Sequence, residues 1–406
     1  MKIILLHYAA PPFVGGVEAV IGHHARLMTD AGHEVCVIAG RGEQFDSRIR
    51  FIQIPLADSR HPEVLSLKPD LDAGRVPSEF DPLVERIAAQ MRDAIADSNW
   101  LIAHNICSLN KNLALTAALK RISESHPRPR LILWHHDLAW TTPRYRNELH
   151  DGYPWDLLRT DWPQVVQVVV SESRRRELAQ LLGANAERIH VIPNGIDANQ
   201  FLKLEGQTRK FVEQLDLSSA APLVLLPVRI TPRKNIELAL RVLAELRLEF
   251  KRAKLVVTGP LGPHNPANVQ YFERLAALRR ELKLEGAAHF LAELSDQYLP
   301  DEVVGDFYRL ADALFYPSRE EGFGIPILEA GLSSIPVFCA DIAPLRDLGD
   351  SQVFYFSPDD EPKKVAALLA NHFKQSPLFA LRERVRSDYR WEQIYSKEIA
   401  PLLRKG

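Results

Sequence analysis

The chain has 406 residues, of which 46% are hydrophobic, and its formal net charge is −2. This length exceeds the size at which a single hydrophobic core usually stops growing, so it predicts two domains. The balanced charge argues against nucleic acid as a partner and leaves, at most, peripheral contact with a membrane.

Short apolar runs in the first half of the chain alternate with segments that carry apolar residues at helical spacing. The runs are Ile3–Leu6, Val35–Ala39, Leu101–Ala103, Leu131–Trp134, Val165–Val170 and Ile189–Ile192. Runs that are apolar at every position fit parallel strands covered by helices on both faces. The predicted helices are Val17–Ala31, Pro82–Asp97, Leu109–Ser125 and Ser173–Leu182. Residues 1–195 therefore predict a doubly wound α/β domain.

The segment Pro193-Asn194-Gly195-Ile196-Asp197 breaks this alternation and predicts a hinge, which a polar stretch follows. The alternation then restarts with strands at Leu223–Val228, Leu255–Thr258, His289–Leu291, Ala313–Tyr316, Pro336–Phe338 and Val353–Phe356. Residues 196–385 predict a second doubly wound domain. Residues 386–406 predict a terminal helix that packs back toward the first domain.

Ligands of open parallel sheets bind at the carboxyl ends of the strands, so two such sheets predict a cleft between two domains. Five loops after strands qualify by their content, namely Pro12–Gly16, His104-Asn105, His135-His136-Asp137, Arg229–Lys234 and Ser318–Glu329. Gly15-Gly16 follows the first strand, where glycine allows close approach and a helix N-terminus favours an anion. The run from Arg229 to Lys234 follows another strand and offers cations suited to a diphosphate. Each feature also has a plainer interpretation, as a turn or as exposed charge.

The stretch Ser318-Arg-Glu-Glu-Gly-Phe-Gly-Ile-Pro-Ile-Leu-Glu-Ala-Gly331 places Glu321 and Glu329 on either side of a glycine turn. Pro326 suits the first turn of a helix, so N–H groups would lie between the two carboxylates. A nucleoside-diphosphate sugar would use all three features, with hydroxyl groups at both ends and phosphates in the middle.

The segment Glu321-Gly-Phe-Gly-Ile-Pro-Ile-Leu-Glu329 resembles the Glu-x7-Glu motif of family 4 glycosyltransferases. The resemblance extends to Gly15-Gly16-Val-Glu, Gly32-His-Glu-Val, Val191-Ile-Pro-Asn-Gly-Ile-Asp197, Arg229 to Lys234 and the tryptophan-bearing terminal helix. Members of that family are retaining enzymes of the GT-B fold. The resemblance thus implies two Rossmann-like α/β domains that face a central cleft, and transfer of a sugar from a nucleoside-diphosphate sugar to an acceptor hydroxyl. It also implies that residues 1–195 form the domain on the acceptor side and that residues 196–385 form the domain that binds the nucleotide-sugar donor.

The resemblance also implies roles for single residues at the donor diphosphate. Arg229 and Lys234 would hold the diphosphate, and Gly16, beside Gly15, would approach it from the other domain. Glu329 would bind the ribose hydroxyls.

At the transferred sugar, the resemblance implies a contact from Glu321, with the backbone of three following residues beside it. Those residues are Phe323, Gly324 and Ile325. A histidine of the first domain would lie near the same sugar, and His135 and His136 are equal candidates.

The sequence predicts no cofactor and no metal site. Asp70-Leu-Asp72 superficially matches the Asp-x-Asp motif of metal-dependent transferases, but it lies in a polar, proline-containing stretch that predicts a solvated loop. The three cysteines are far apart and form no zinc or disulfide pattern. The cysteines therefore predict reduced thiols. Since the sequence also has no signal peptide and no long apolar run, it predicts a cytoplasmic protein.

The acceptor stays open among saccharide, polyol and lipid-linked hydroxyls. Leu56–Asp81 and the aromatic-rich segment Leu138–Trp162 are candidate lids over it, and the loop Thr258–Pro266 is either a turn-rich insertion or a ligand contact. Two other functions are compatible with the sequence, a sugar-nucleotide epimerase and a non-catalytic sugar-nucleotide-binding protein of the same fold.

Overall fold

The computed structural model describes residues 1–125, 128–261, 266–295 and 298–404. The chain forms two compact units. The first unit comprises Met1–Gly195 together with the segment from Trp391 onward, and the second comprises Ile196–Arg390. The second unit ends at Arg390 rather than at residue 385, because the carbonyl of Tyr389 accepts a hydrogen bond (2.7 Å) from the backbone N–H of Ile196.

The first unit is built on a seven-stranded parallel sheet in the order β3-β2-β1-β4-β5-β6-β7. Its strands are β1 (Lys2–Ala9), β2 (Glu34–Arg41), β3 (Arg50–Gln53), β4 (Trp100–His104), β5 (Arg130–His135), β6 (Val166–Val169) and β7 (Ile189–Val191). Its helices are α1 (Gly16–Asp30), α2 (Pro62–Asp72), α3 (Phe80–Ile95), α4 (Leu113–Ser125) and α5 (Glu172–Leu182).

The central strand β1 explains why its sequence is continuously apolar. Ile3 and Leu5 lie in one buried cluster, and Ile4 and Leu6 lie in another. Successive side chains of a strand point to opposite faces, so both faces of this sheet are buried. The doubly wound α/β class predicted for the first domain is confirmed.

The second unit has a six-stranded parallel sheet in the order β10-β9-β8-β11-β12-β13. Its strands are β8 (Leu223–Leu226), β9 (Lys254–Val257), β10 (Ala288–Phe290), β11 (Ala313–Tyr316), β12 (Val337–Ala340) and β13 (Phe354–Phe356). Its helices are α6 (Ala198–Phe201), α7 (Gly206–Gln214), α8 (Ile236–Glu249), α9 (Pro266–Glu281), α10 (Asp301–Leu310), α11 (Ile325–Leu332), α12 (Ala343–Gly349), α13 (Pro362–Gln375) and α14 (Pro377–Asp388). This unit is also doubly wound, as predicted.

The terminal segment consists of α15 (Trp391–Ile394), one π-helical turn and α16 (Ala400–Arg404). Its side chains complete the core of the first unit. The indole of Trp391 lies against Gly195, where an added Cβ would come within 2.5 Å of the ring. The indole N–H of Trp100 donates a hydrogen bond (3.2 Å) to the carbonyl of Leu403.

The predicted loop at Asp70 and Asp72 is wrong, because both residues belong to α2. The helix tolerates Pro62 in its first turn and buries Val64, Leu67 and Leu71 against the unit. The carboxylates are paired with cations rather than held free for a metal. Asp72 contacts Lys68 at 2.7 Å, and Asp70 contacts Arg75 at 2.6 Å.

The polar stretch after the predicted hinge also contains a helix. Thr208, Phe211 and Val212 of α7 are buried in the second unit, so this stretch is part of a domain rather than a linker. Within the described ranges, no helix combines the length and the apolarity that crossing a bilayer requires.

Candidate functional site

Each sheet reverses its strand order next to its first strand, at β1/β4 in the first unit and at β8/β11 in the second. Ligands of doubly wound sheets bind at the carboxyl ends of the strands that flank such a reversal. The loops after these four strands contain most of the residues predicted to bind donor. The topology therefore places the predicted site residues where this class of fold binds ligands.

In the second unit, the loops after β8 and β11 are joined through their backbones. The loop after β8 ends in a 3-10 turn, Pro232–Lys234, from which the carbonyl of Arg233 accepts a hydrogen bond (2.8 Å) from the N–H of Arg319. The guanidinium of Arg233 lies 3.4 Å from the carbonyl oxygen of Glu320. These bonds hold the cationic loop beside the loop that carries Glu321.

Lys234 and Glu321 form the central ion pair of this region. The ammonium Nζ of Lys234 donates to Oε1 of Glu321, and both side chains are only 8% exposed. Burial tends to raise the pKa of Glu321, but hydrogen bonds from Lys234 and from neighbouring hydroxyls outweigh it, so the pKa is lowered. Burial also lowers the pKa of Lys234, which Glu321 partly opposes.

Two arginines add positive charge around this pair. Arg233 lies 3.8 Å from the second carboxylate oxygen of Glu321 and is half exposed. Arg229 is exposed, and its guanidinium lies 5.8 Å from the ring centre of Tyr298. Lys234 and Arg233 thus flank one buried carboxylate, and Arg229 lies close enough to help lower the pKa of Lys234, which leaves a net positive charge at the carboxyl end of β8. An anionic ligand is favoured there.

Gly324 caps the N-terminus of α11 in a conformation that other residues rarely adopt. Its φ is +107°, and an added Cβ would lie 2.6 Å from Cδ2 of Leu345. Glycine is therefore required by backbone geometry and by packing. Phe323 and Ile325, on either side, expose their side chains, and the first N–H groups of the helix have no partner within it.

Glu329 lies on α11 and is partly buried. One of its carboxylate oxygens, Oε2, accepts a hydrogen bond (2.5 Å) from the hydroxyl of Tyr308. Tyr308 comes from α10 and is 3% exposed. The structure thus fixes one oxygen of Glu329 and leaves the other, Oε1, to accept from a ligand.

In the first unit, Gly15 and Gly16 stand at the start of α1. Gly16 is exposed, and a Cβ added to it would meet nothing within 4 Å, so packing inside this unit does not require glycine there. A Cβ at Gly15 would meet only the flexible carboxylate of Glu18. The role of this pair in approaching a diphosphate stays a prediction.

His135 and His136 differ sharply in their surroundings. His135 is 3% exposed, and its Nε2 lies 2.7 Å from Oε1 of Gln167 on the neighbouring strand. His136 stands just beyond the end of β5 and is partly exposed. Its backbone N–H donates (2.7 Å) to the side chain of Asn105, which also accepts from the N–H of Asp137 at 3.0 Å. Of the two histidines, only His136 can reach a ligand at this edge.

The ring of His136 is held by a second histidine. Its Nε2 lies 3.2 Å from Nδ1 of His104, a fully buried residue whose own Nε2 has no hydrogen-bond partner. Burial lowers the pKa of His136 to about 4 and that of His104 well below its usual value, so both rings are neutral at pH 7. An unpaired acceptor at Nε2 of His104 costs less than an unpaired buried N–H would, so the proton of His104 is on Nδ1. His104 is therefore the donor in its hydrogen bond to His136. The proton of His136 then resides on Nδ1.

No group of three or more His, Cys, Asp or Glu side chains in the described part of the chain is arranged to hold a metal ion. The predicted ligand contact of the loop Thr258–Pro266 falls partly on residues 262–265, which lie outside the described residues. Its first part approaches the loop after β8, because the N–H of Ile230 donates (3.1 Å) to the carbonyl of Pro260.

Sequence reasoning missed Tyr308, which holds Glu329 in place, because nothing in its local pattern distinguishes it from a packing residue. The loop His104-Asn105 was predicted from its content, and both of its residues contact His136. Asn105 has a left-handed φ of +56°, which Asn tolerates better than most residues.

Comparison with known proteins agrees with these features. The family profile of Glycosyltransferase Family 4 matches residues 14–200, and that of Glycosyl transferases group 1 matches residues 207–387. The second match contains every predicted donor residue of the second unit.

Individual relatives cover different shares of the chain. Mannosylglucosylglycerate synthase of Petrotoga mobilis is 28% identical over 66% of this chain and 66% of its own length. The protein of that name from Thermotoga maritima is 26% identical over 85% of this chain and 83% of its own length. D-inositol 3-phosphate glycosyltransferase of Kineococcus radiotolerans is 32% identical over 44% of this chain and 40% of its own length. The chain is thus a glycosyltransferase that belongs to family 4, with the two doubly wound α/β units of the GT-B fold.

Proposed function

We propose that this glycosyltransferase takes its sugar from a nucleoside-diphosphate sugar and transfers it to an acceptor hydroxyl, with retention of the anomeric configuration and without a divalent metal. The observation that carries the proposal is the cationic cluster around Glu321. Lys234, Arg229 and Arg233 lie at the carboxyl end of β8, where a diphosphate would meet fixed positive charge.

The same cluster explains how the leaving group would be stabilised. When the bond between the sugar and the diphosphate breaks, negative charge grows on the phosphate oxygens. Lys234, Arg229 and the N-terminal N–H groups of α11 are fixed donors for that charge, so a metal would be redundant. Attack from the face of the leaving group, with the departing phosphate accepting the proton of the acceptor hydroxyl, would retain the configuration.

Glu321 and His136 are proposed to contact the transferred sugar. The lowered pKa of Glu321 keeps it ionised, so it accepts hydrogen bonds from sugar hydroxyls. The neutral ring of His136, with its proton on Nδ1, can donate one. The names of the relatives favour a saccharide or polyol acceptor over a lipid-linked one, since they contain glycerate and inositol 3-phosphate.

One experiment tests both the metal independence and the stereochemistry of the transfer. After exhaustive EDTA treatment, the purified protein is expected to transfer sugar at its untreated rate, and the anomeric proton of the product is expected to show the donor's configuration by NMR. Activity that disappears and returns with manganese would refute metal independence. A product of opposite configuration would refute retention.

Incubation with the donor alone separates transfer from epimerisation. A transferase is expected to hydrolyse the donor slowly and to release nucleoside diphosphate faster when acceptor is added. An epimerase would convert the donor to its epimer with no acceptor present. A protein that only binds would leave the donor unchanged in both mixtures.

His136→Gln is expected to lower turnover about a hundredfold, in the range that a positioned histidine contributes to catalysis. His135→Gln, which changes a buried side chain facing Gln167, is the matched control and is expected to stay near the wild-type rate. Both rates are measured as nucleoside diphosphate released. If His135→Gln lost more activity than His136→Gln, the choice of His136 would be wrong.

A further inference from the structure

Tyr308 connects the core of the second unit to the carboxylate of Glu329. Its ring is buried among the hydrophobic residues that surround α10, and only its hydroxyl reaches Glu329. Burial, followed by the hydrogen bond to Glu329, raises the pKa of Tyr308 far above its usual value. The phenol therefore stays protonated and donates its proton to the carboxylate.

This hydrogen bond restricts a side chain that would otherwise be mobile. Leu332, three residues further along α11, offers little restraint because it is 90% exposed. A glutamate free to rotate would lose its rotamer freedom only when a ligand binds, and that loss would weaken binding. Tyr308 restricts the side chain of Glu329 before a ligand binds. Its phenol holds Oε2, which fixes the plane of the carboxylate and so the position of Oε1.

We propose that Tyr308 is a positioning residue that holds Glu329 ready for the paired hydroxyls of a ribose, and that it thereby makes the site select ribonucleotides. This inference rests on the proposed function, in which Glu329 contacts the ribose of the donor. Selection follows because a nucleotide without these hydroxyls gains nothing from an oriented carboxylate, whereas a ribonucleotide gains charge-assisted hydrogen bonds.

The test is calorimetric binding of UDP, GDP, ADP and CDP, each compared with its 2′,3′-dideoxy form. The wild-type protein is expected to bind its preferred ribonucleotide at least about tenfold more tightly than the dideoxy form, as hydrogen bonds to a charged group allow. Tyr308→Phe keeps the ring but removes the donor. It is expected to weaken ribonucleotide binding about tenfold and to leave dideoxynucleotide binding unchanged.

Tyr271→Phe is the matched control. Tyr271 is also buried in the second unit, and its hydroxyl donates to the carboxylate of Glu237. Its loss is expected to leave the ratio of ribonucleotide to dideoxynucleotide affinity unchanged. If Tyr308→Phe weakened both nucleotides equally, its role would be structural and the inference would be wrong. Failure of the wild-type protein to bind any of the four pairs would overturn the proposed donor class itself, and this inference with it.

Discussion

Lys234→Met is expected to slow turnover of the donor by about a hundredfold to a thousandfold, the loss typical of removing one fixed donor for developing charge. The substitution removes the ammonium group proposed to neutralise the departing diphosphate. It also leaves the buried carboxylate of Glu321 without its lysine, which is expected to lower the free energy of unfolding by about 3 kcal/mol. Turnover is measured as nucleoside diphosphate released, and stability as hydrogen exchange in peptides of the second unit.

Two further variants separate catalysis from stability. Lys364→Met removes an exposed lysine that pairs with Asp360 at 2.7 Å in the same unit, and it is expected to change neither quantity. The double variant Lys234→Met/Glu321→Gln removes both buried charges, so stability is expected to recover in part while turnover stays low. A Lys234→Met protein with wild-type turnover would refute the assignment of this lysine to the diphosphate.

Acidification from about pH 7.5 to about pH 5 is expected to unfold the first unit before the second. Five histidines of the first unit have lowered pKa values, with removal from water as the main cause: the buried His7, His24, His104 and His135, and the partly exposed His136. A histidine of lowered pKa stabilises the fold above its unfolded pKa of about 6.5, and this contribution is lost as the pH falls toward the folded value. Near pH 5 each costs about 2 kcal/mol, so together they approach the stability of a whole domain, about 5–15 kcal/mol.

Intrinsic fluorescence isolates the first unit in this experiment. All six tryptophans belong to it, namely Trp100, Trp134, Trp140, Trp155, Trp162 and Trp391. Hydrogen exchange in peptides from residues 196–390 follows the second unit, whose described histidines are His289 and His372.

A pair of histidine variants provides the control. Neither ring nitrogen of His24 has a hydrogen-bond partner, so His24→Leu is expected to move the fluorescence midpoint to lower pH. His372→Leu, in the second unit, is expected to leave that midpoint in place. Fluorescence that stayed constant down to about pH 4 would show that folding does not depend on neutral histidines in the first unit.

The fold was predictable from sequence wherever strands are buried on both faces. A continuous apolar run such as Ile3–Leu6 has few other interpretations, and every predicted strand has a counterpart in one of the two sheets. Five helices were missed, namely α2, α6, α7, α12 and α14. Polar residues obscure the narrow buried faces of α2 and α7, and α2 also contains prolines. The helix α2 is stabilised by the packing of Val64, Leu67 and Leu71 in the folded unit, and the composition of the segment alone does not predict this packing.

The candidate site was predictable to the extent that its residues follow strands. Lys234 and Glu321 are 87 residues apart, yet adjacent strands bring them into contact, as their places after β8 and β11 implied. The distinction between His135 and His136 needed the structure, because neighbouring residues at a strand end differ only in the direction of their side chains. The role of Tyr308 needed the structure too, because the position of a residue in a helix does not show whether its polar group contacts a neighbouring helix.

The division of the first unit between two separated stretches has a consequence for biosynthesis. Ile394 and Leu403 belong to the same core as Ile3 and Leu5, so this core stays incomplete until the ribosome has translated the terminal helices. The second unit, Ile196–Arg390, is one continuous stretch and contains all of its own strands. All residues of the second unit are therefore translated before the last core residues of the first unit, so the unit whose synthesis begins first is the last to have its complete set of core residues.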